Sequence, residues 1–409
     1  MDPDKRKAFA ALVICEAMKP KKRKKSFWAK EWYKNRDTYS HITLLKELKE
    51  NNPDDYKNYL RMSDDVFQDL LVAVTPFIEK KDTVMRKAIS PEQRLIATLR
   101  FVATGRSLED LKYSTAVSPQ CLGVIIPETC RAIWHALRDK YMKFPSTQEE
   151  WLAVAADFEG YWNFPNCGGA IDGKHIRITC PSKGGSYYYN YKGFNSLILM
   201  AIVNANYEFI MVDVGKNGRM SDSGVIQTTT FYQKLHQKEL NLPTTDMTKE
   251  GFNFVFVGDD AFALHEHLLK PFPQKGMTPQ MRIFNYRVSR ARRVVENAFG
   301  ILANRFRIFH TAINMTADKI EDVVMACCVL HNLLRMNNKA AYTPPVMVDR
   351  EDIEGGNIIP GVWREGNAAL VPLQVGQNRN VSSGAKENRD KYVAYFNSTG
   401  AVPWQNNMA

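Results

Sequence analysis

The sequence has no apolar run long enough to cross a bilayer. Its longest, 197–203 and 323–330, fall far short of the ~20 residues that a spanning helix needs, which excludes a membrane-spanning helical protein. Cysteine is scarce: there are seven in 409 residues, an odd number with no CxxC pair, which fits reduced thiols better than a disulfide framework. There is no internal repeat and no secretory signal. Acids precede the short apolar patch near the start and a basic block follows it, the reverse of the secretory order, so the chain reads as intracellular. Acidic charge is in deficit, with 44 Asp and Glu against 55 Lys and Arg and a formal balance of +11. At 44% hydrophobic and 24% charged residues, the composition is that of a globular protein, and the length suggests two to three domains.

Most of the positive excess sits at the start, where residues 1–40 hold 12 Lys and Arg and 5 Asp and Glu. Its centre is 19–25, with Lys21, Lys22, Arg23, Lys24 and Lys25 in one block that no core would accept. Such a block reads as a nuclear import signal or a phosphate-binding arm, and equally as a solvated charge run. A second cluster, Arg282, Arg287, Arg290, Arg292, Arg293, Arg305 and Arg307, is entirely arginine, and Glu296 is the only acid from 282 to 310. The planar guanidinium fork pairs bidentately with phosphate, so this cluster suits a nucleic-acid surface, with a salt-bridged structural helix as the alternative.

From 41 to about 145 the apolar period is helical, as in Leu60, Phe67, Leu70, Leu71 and Val74. Ser90-Pro91-Glu92-Gln93 starts a helix that stops at Gly105, a short segment spans 107–113, and Ser118-Pro119 starts another helix. This order resembles a helix-turn-helix unit, and a small bundle without DNA contact fits as well. From 165 the period changes. Segments 168–178, 197–204, 209–214 and 252–257 read as strands, followed by two helical segments and a final apolar helix over 323–335. A meander followed by alternating helix and strand indicates an α/β domain with a sheet of mixed direction. From 340 onwards periodicity is lost except for a helix-like 385–396, so this part reads as a wrapping or flexible tail.

Three acids stand where chemistry needs them. Asp172 interrupts the apolar strand GGAIDGKHI, and an unpaired carboxylate there would be costly. Asp259 ends the strand FNFVFVGD, at the kind of sheet edge where α/β active sites collect. Glu296 lies beside the core stripe Val295, Phe299, Leu302 and Phe306, one turn after Arg292 and Arg293. Oxygen-only sites suit Mg2+ or Mn2+, and two such ions can clamp both oxygens of a phosphodiester displacement.

GGAIDGKHI, SYYYNYKGFNSLILMAIVNANYEFIMVDVG with GRMSDSGV, VFVGDDAF, FNYRVSRARRVVENAFGILANRFRIF and CCVLHNLLR occur in one order, and together they resemble the PIF/Harbinger transposases and the nucleases derived from them. The resemblance runs from about residue 60 onwards. It implies an RNase H-like mixed sheet flanked by helices and a DDE triad that binds two divalent cations, Mg2+ or Mn2+, to cut double-stranded DNA at transposon terminal repeats and join it to a target site. Carried over by motif, the triad is Asp172, Asp259 and Glu296, intact and separated by 87 and 37 residues. Asp222 is a supporting acid and the rival for the second position. Lys174, Lys192, Arg290, Arg292 and Arg293 are the expected DNA contacts. The basic block makes the nucleus the expected location, with the cytoplasm second; the resemblance implies a Myb-like DNA-binding partner, and homo-oligomers are left open. The expected organisation is a basic arm (1–40), a helix-turn-helix-like region (41–150), the nuclease domain (160–338) and the tail (339–409). A domesticated, non-catalytic DNA-binding or regulatory protein is the alternative function.

Two further groups read as structural rather than zinc-binding: His265 with His267, which would diverge on a helix, and Cys327, Cys328 and His331. Tyr187, Tyr188, Tyr189 and Tyr191, beside Lys183 and Lys192, could stack on bases or cover the sheet edge.

Overall fold

The computed structural model describes residues 30–84, 87–182, 184–365, 369–373 and 382–409, so the basic block at 19–25 and Lys183 lie outside the described residues. The helical region contains α1 (Ile42–Asn51), α2 (Pro53–Leu60), α3 (Asp64–Ile78), α4 (Pro91–Thr104), α5 (Leu108–Thr115) and α6 (Pro119–Tyr141). The start of α4 is a full capping box: Ser90 accepts from the Gln93 amide, and the Gln93 side chain accepts from the Ser90 amide. Its end is Gly105 at φ 67°, a left-handed position that suits glycine. The core of this region, including Leu95, Leu99, Leu122 and Ile126, is continuous with that of the sheet.

After α7 (Gln148–Trp162) the chain forms β1 (Cys167–Arg177), β2 (Ser196–Val203) and β3 (Phe209–Asn217), then α8 (Asp222–Gln227) and α9 (Thr230–Gln237). β4 (Val255–Val257) and β5 (Leu268–Leu269) complete a path ordered β3-β2-β1-β4-β5. The β1–β2 and β2–β3 pairs are antiparallel, whereas β1–β4 and β4–β5 are parallel. This is an α/β, RNase H-like mixed sheet flanked by helices, with a helical region before it. Both faces are apolar and covered, as such sheets require. Ala170, Ile176, Leu199 and Ala201 pack towards α10 (Pro279–Arg305) and α11 (Ala317–Asn337), while Ile171, Ile198, Met200 and Phe256 pack against Trp151, Val225 and Phe231.

The strand expected over 252–257 is confined to three residues, and a turn with the short β5 occupies 265–269, where helix was expected. In the tail, β6 (Arg350–Asp352) and β7 (Asn357–Ile359) form a hairpin, β8 (Val371–Pro372) pairs with β1, and α12 (Ser383–Phe396) packs on α10. Among the described residues no helix is long and apolar enough to cross a membrane.

Candidate active site

One edge of β1 is split. β4 covers it as far as Ala170, which pairs with Val257, and β8 resumes at Lys174, which pairs with Pro372. Asp172 sits in the interval. On its other edge β1 stays paired with β2, where Asp172 opposes Ala201. Because side chains alternate along a strand, Asp172 and Lys174 share the face turned to α10. Asp259 follows two residues after the end of β4, and Glu296 projects from α10. The three line one cavity of about 590 Å³, together with Lys174, Arg292 and Arg364.

The charges are balanced within the cavity. Asp172 is 2% exposed; its Oδ1 accepts from the Gly173 amide at 2.9 Å, and Lys174 Nζ lies 2.7 Å from its Oδ2. Oδ2 is buried, and the Lys174 ammonium is its partner. Burial and the nearby Asp172 carboxylate push the Asp259 pKa up to about 6. Glu296 behaves in the opposite way: burial opposes its charge, but Arg292, Arg364 and Lys174 outweigh it and hold its pKa below the usual value. Arg292 is 2.6 Å from Glu296 Oε1, and Arg364 is 2.8 Å from Oε2. Burial likewise opposes the charge on Arg292, and Glu296, Asp172, Asp259 and Asp260 together overcome it.

Arg364 comes from the tail, and periodicity gives no reason to single it out. It binds the buried Asp349 through Nε at 2.8 Å and Nη2 at 2.7 Å, and Asp349 Oδ1 also accepts from the Gly361 amide. The neighbouring Trp363 donates its indole N–H to Asn297 at 2.7 Å, and Asn297 also accepts from the Asp349 amide at 3.1 Å. Gly300 makes room for the indole, since a Cβ there would lie 2.1 Å from Trp363 Cδ2. The only signal in the sequence is an aromatic-arginine pair in a polar stretch.

Some of the expected DNA contacts are engaged within the protein. Arg293 is 5% exposed and pairs with Glu351 at 3.0 Å; Arg290 pairs with the other Glu351 oxygen at 3.1 Å. Both arginines therefore serve packing between α10 and β6 rather than facing a DNA phosphate. Arg287 is buried on the carbonyls of Asn163 and Gly400. Lys174 is engaged by Asp172, while Lys192 is exposed beside Tyr191. Asp222 begins α8, and its side chain lies outside what the structure describes. His265 and His267 lie in a turn, not a helix, with ring centroids 5.9 Å apart. His331 is buried, bonded to the Tyr207 carbonyl and the Tyr342 hydroxyl, and Cys327 and Cys328 are buried too. Tyr187, Tyr189 and Tyr191 are exposed, and Tyr191 donates to the Pro372 carbonyl of β8.

The two aspartates fit a divalent cation: both offer hard oxygen donors to one cavity, and the Asp172 carboxylate helps to raise the Asp259 pKa. Glu296 does not fit as it stands, because both its oxygens are taken by arginines. Asp172, Asp259 and Glu296 line one cavity, but among the described residues no three His, Cys, Asp or Glu side chains are placed to share a single ion.

The model of the DDE superfamily endonuclease family matches residues 171–332. "Putative nuclease HARBI1" of Rattus norvegicus is 25% identical over 271 residues, 65% of this chain and 73% of that protein; its Homo sapiens counterpart is 24% identical with the same coverage. "Protein ALP1-like" of Arabidopsis thaliana is 29% identical over 259 residues, 60% of this chain and 61% of that one. No solved structure gives a significant match. DDE superfamily endonucleases generally use divalent metal ions on DNA, in keeping with the donor chemistry of Asp172 and Asp259. It is over residues 171–332, which contain Asp172, Asp259 and Glu296, that the chain is similar to the DDE superfamily endonucleases.

Proposed function

We propose that the protein is a metal-dependent DNA endonuclease and transposase of the PIF/Harbinger type, cutting phosphodiester bonds at transposon ends and joining them to target DNA. The observation that carries this reading is that two carboxylates, Asp172 and Asp259, line one cavity at the split edge of β1, close enough for Asp172 to raise the Asp259 pKa. Asp172 and Asp259 would hold Mg2+ or Mn2+, which supplies Lewis-acid stabilisation of the oxygens exchanged at phosphorus. Lys174 balances Asp172 until the cation arrives, and Arg292 sets a positive charge beside all three acids, where a scissile phosphate would enter. A nicking assay on transposon-end duplexes with Mg2+, Mn2+ or EDTA, with and without a Myb-like partner, tests it. Metal-independent or absent nicking in every arm would remove the reading.

The alternative, a domesticated DNA-binding protein without catalysis, draws support from Glu296, held by Arg292 and Arg364. We expect the double variant Arg364→Met/Asp349→Asn, which frees Glu296 Oε2 without stranding Asp349, to bind Mn2+ about tenfold more tightly by calorimetry, the scale on which groups around metal ligands act. An affinity equal to the parent's would mean that the tail does not restrain the site.

We also assign nuclear import to the block 19–25, a reading that rests on its sequence alone. Replacing Lys21, Lys22, Arg23, Lys24 and Lys25 by Gln should shift a fluorescent fusion from nucleus to cytoplasm, and unchanged nuclear signal would leave the block a solvated or DNA-contacting arm.

A further inference from the structure

A second cavity, about 540 Å³, lies where the helical region meets the end of α10. Its wall carries Arg61 after α2, Arg100 and Arg106 around the end of α4, and Arg307 after α10, with Asp55 the single acid in the lining. Four guanidinium groups facing one carboxylate are hard to explain by packing alone. Arg106 pairs with Asp110 at 3.2 Å, but among the described residues Arg61, Arg100 and Arg307 form no ion pair. Arg100 lies 3.9 Å above the Tyr59 ring, which fixes its plane at the cavity wall. Arg61 donates to Asn58, and its Nε is buried with no hydrogen-bond partner. Burial lowers the Arg61 pKa, and the repulsion of Arg305, Arg100 and Arg307 adds to it. Like charges held together and half-buried are stabilised when an anion enters among them.

The two cavities adjoin. Arg307 lines both this one and the one that holds Asp172, Asp259 and Glu296. The junction is built into the backbone: Gly105, at φ 67°, brings the end of α4 so close to the turn after α10 that a Cβ would meet the Arg307 carbonyl at 2.9 Å.

We propose that this pocket is a phosphate-binding site for the DNA backbone, in which Arg61, Arg100 and Arg307 hold a phosphodiester of the strand whose neighbouring phosphate lies in the carboxylate cavity. The strand's path rests on the DNA-cleaving function proposed above, whereas the anion site itself does not. Arg307 is the link between the two positions, so the pocket sets the distance from a held phosphate to the cut one.

The test is duplex binding by the full chain, read by fluorescence anisotropy in EDTA, so that the result does not depend on cleavage. Arg100→Gln/Arg307→Gln should lower affinity about tenfold at ~0.1 M salt and flatten the log-log salt slope by about 0.9 for each phosphate no longer neutralised. Lys391→Gln, an exposed change on α12, should leave both unchanged. If Arg100→Gln weakens folding, Arg307→Gln alone, at an exposed side chain, still has to flatten the slope. Sodium tripolyphosphate should compete with duplex on the parent and lose that effect on the variant. Loss of tripolyphosphate binding with duplex binding intact would overturn the DNA assignment in favour of a free polyphosphate. Parent-like affinity and slope in both variants would remove the site altogether. Duplex binding that falls as expected in a chain that never cleaves DNA would leave this pocket standing and remove only the nuclease reading.

Discussion

Asp172→Asn and Asp259→Asn should each abolish DNA cleavage, by ~10³-fold or more, because each removes about 4 kcal/mol of transition-state stabilisation from a cation held by the aspartates. Their effects on stability should have opposite signs. Asp172 is the ion partner of Lys174, whose side chain is only 11% exposed, so its replacement strands a buried ammonium and should cost roughly 1–3 kcal/mol. Asp259 has a raised pKa, to about 6 from 3.8, so the folded protein binds the extra proton between those values and loses stability as pH rises through that window. Above about pH 6 the ionised carboxylate costs the metal-free protein roughly 1–3 kcal/mol. Asp259→Asn should therefore raise the melting temperature at pH 7.5 and show no gain below about pH 4. Thermal melts of both variants in EDTA at the two pH values test the pair, and a destabilised Asp259→Asn at neutral pH would contradict the electrostatic account of the site.

Glu351→Gln should produce the largest loss of stability outside the apolar core, about 3–5 kcal/mol, or on the order of 10 °C in melting temperature. Its two oxygens hold Arg290 and Arg293, and Tyr286 donates to it as well at 3.2 Å. Without the carboxylate, two guanidinium groups remain buried beside each other. The salt dependence of duplex binding should not change, because neither arginine lines either cavity. A parent-like melt combined with a flatter salt slope would restore Arg290 and Arg293 to the role of DNA contacts.

This is also where sequence and structure part company. β1, β2 and β3 are legible because Ile, Val, Leu and Met crowd short segments bounded by Gly and Asn, and α4 because Ser90, Pro91 and Gln93 are a start signal that acts within one turn. The face that Asp172 shares with Lys174 follows from alternation along β1. The partners of the arginines could not be read the same way. Glu351 is 58 residues from Arg293, and Arg364 is 68 from Glu296, both in a stretch with no period to say where it packs. Counting acids near the helix in sequence therefore makes its arginines look unpaired. β5 and β8, of two residues each, are too short to leave an alternating pattern.

The split edge of β1 has a consequence for the timing of synthesis. β2 and β3 follow β1 directly, but β4, α10 and the strap that bears Arg364 are translated much later, about 190 residues separating Asp172 from Arg364. At ~5–20 residues per second that is roughly 10 to 40 s of elongation. Throughout it the nascent chain displays Asp172 in a hairpin sheet, without Asp259 for the first part and without Glu296 for most of it. On the function proposed above, competence to cut therefore comes only with α10, and a ribosome that stalls before α10 releases a fragment that lacks the third acid and the arginines around it.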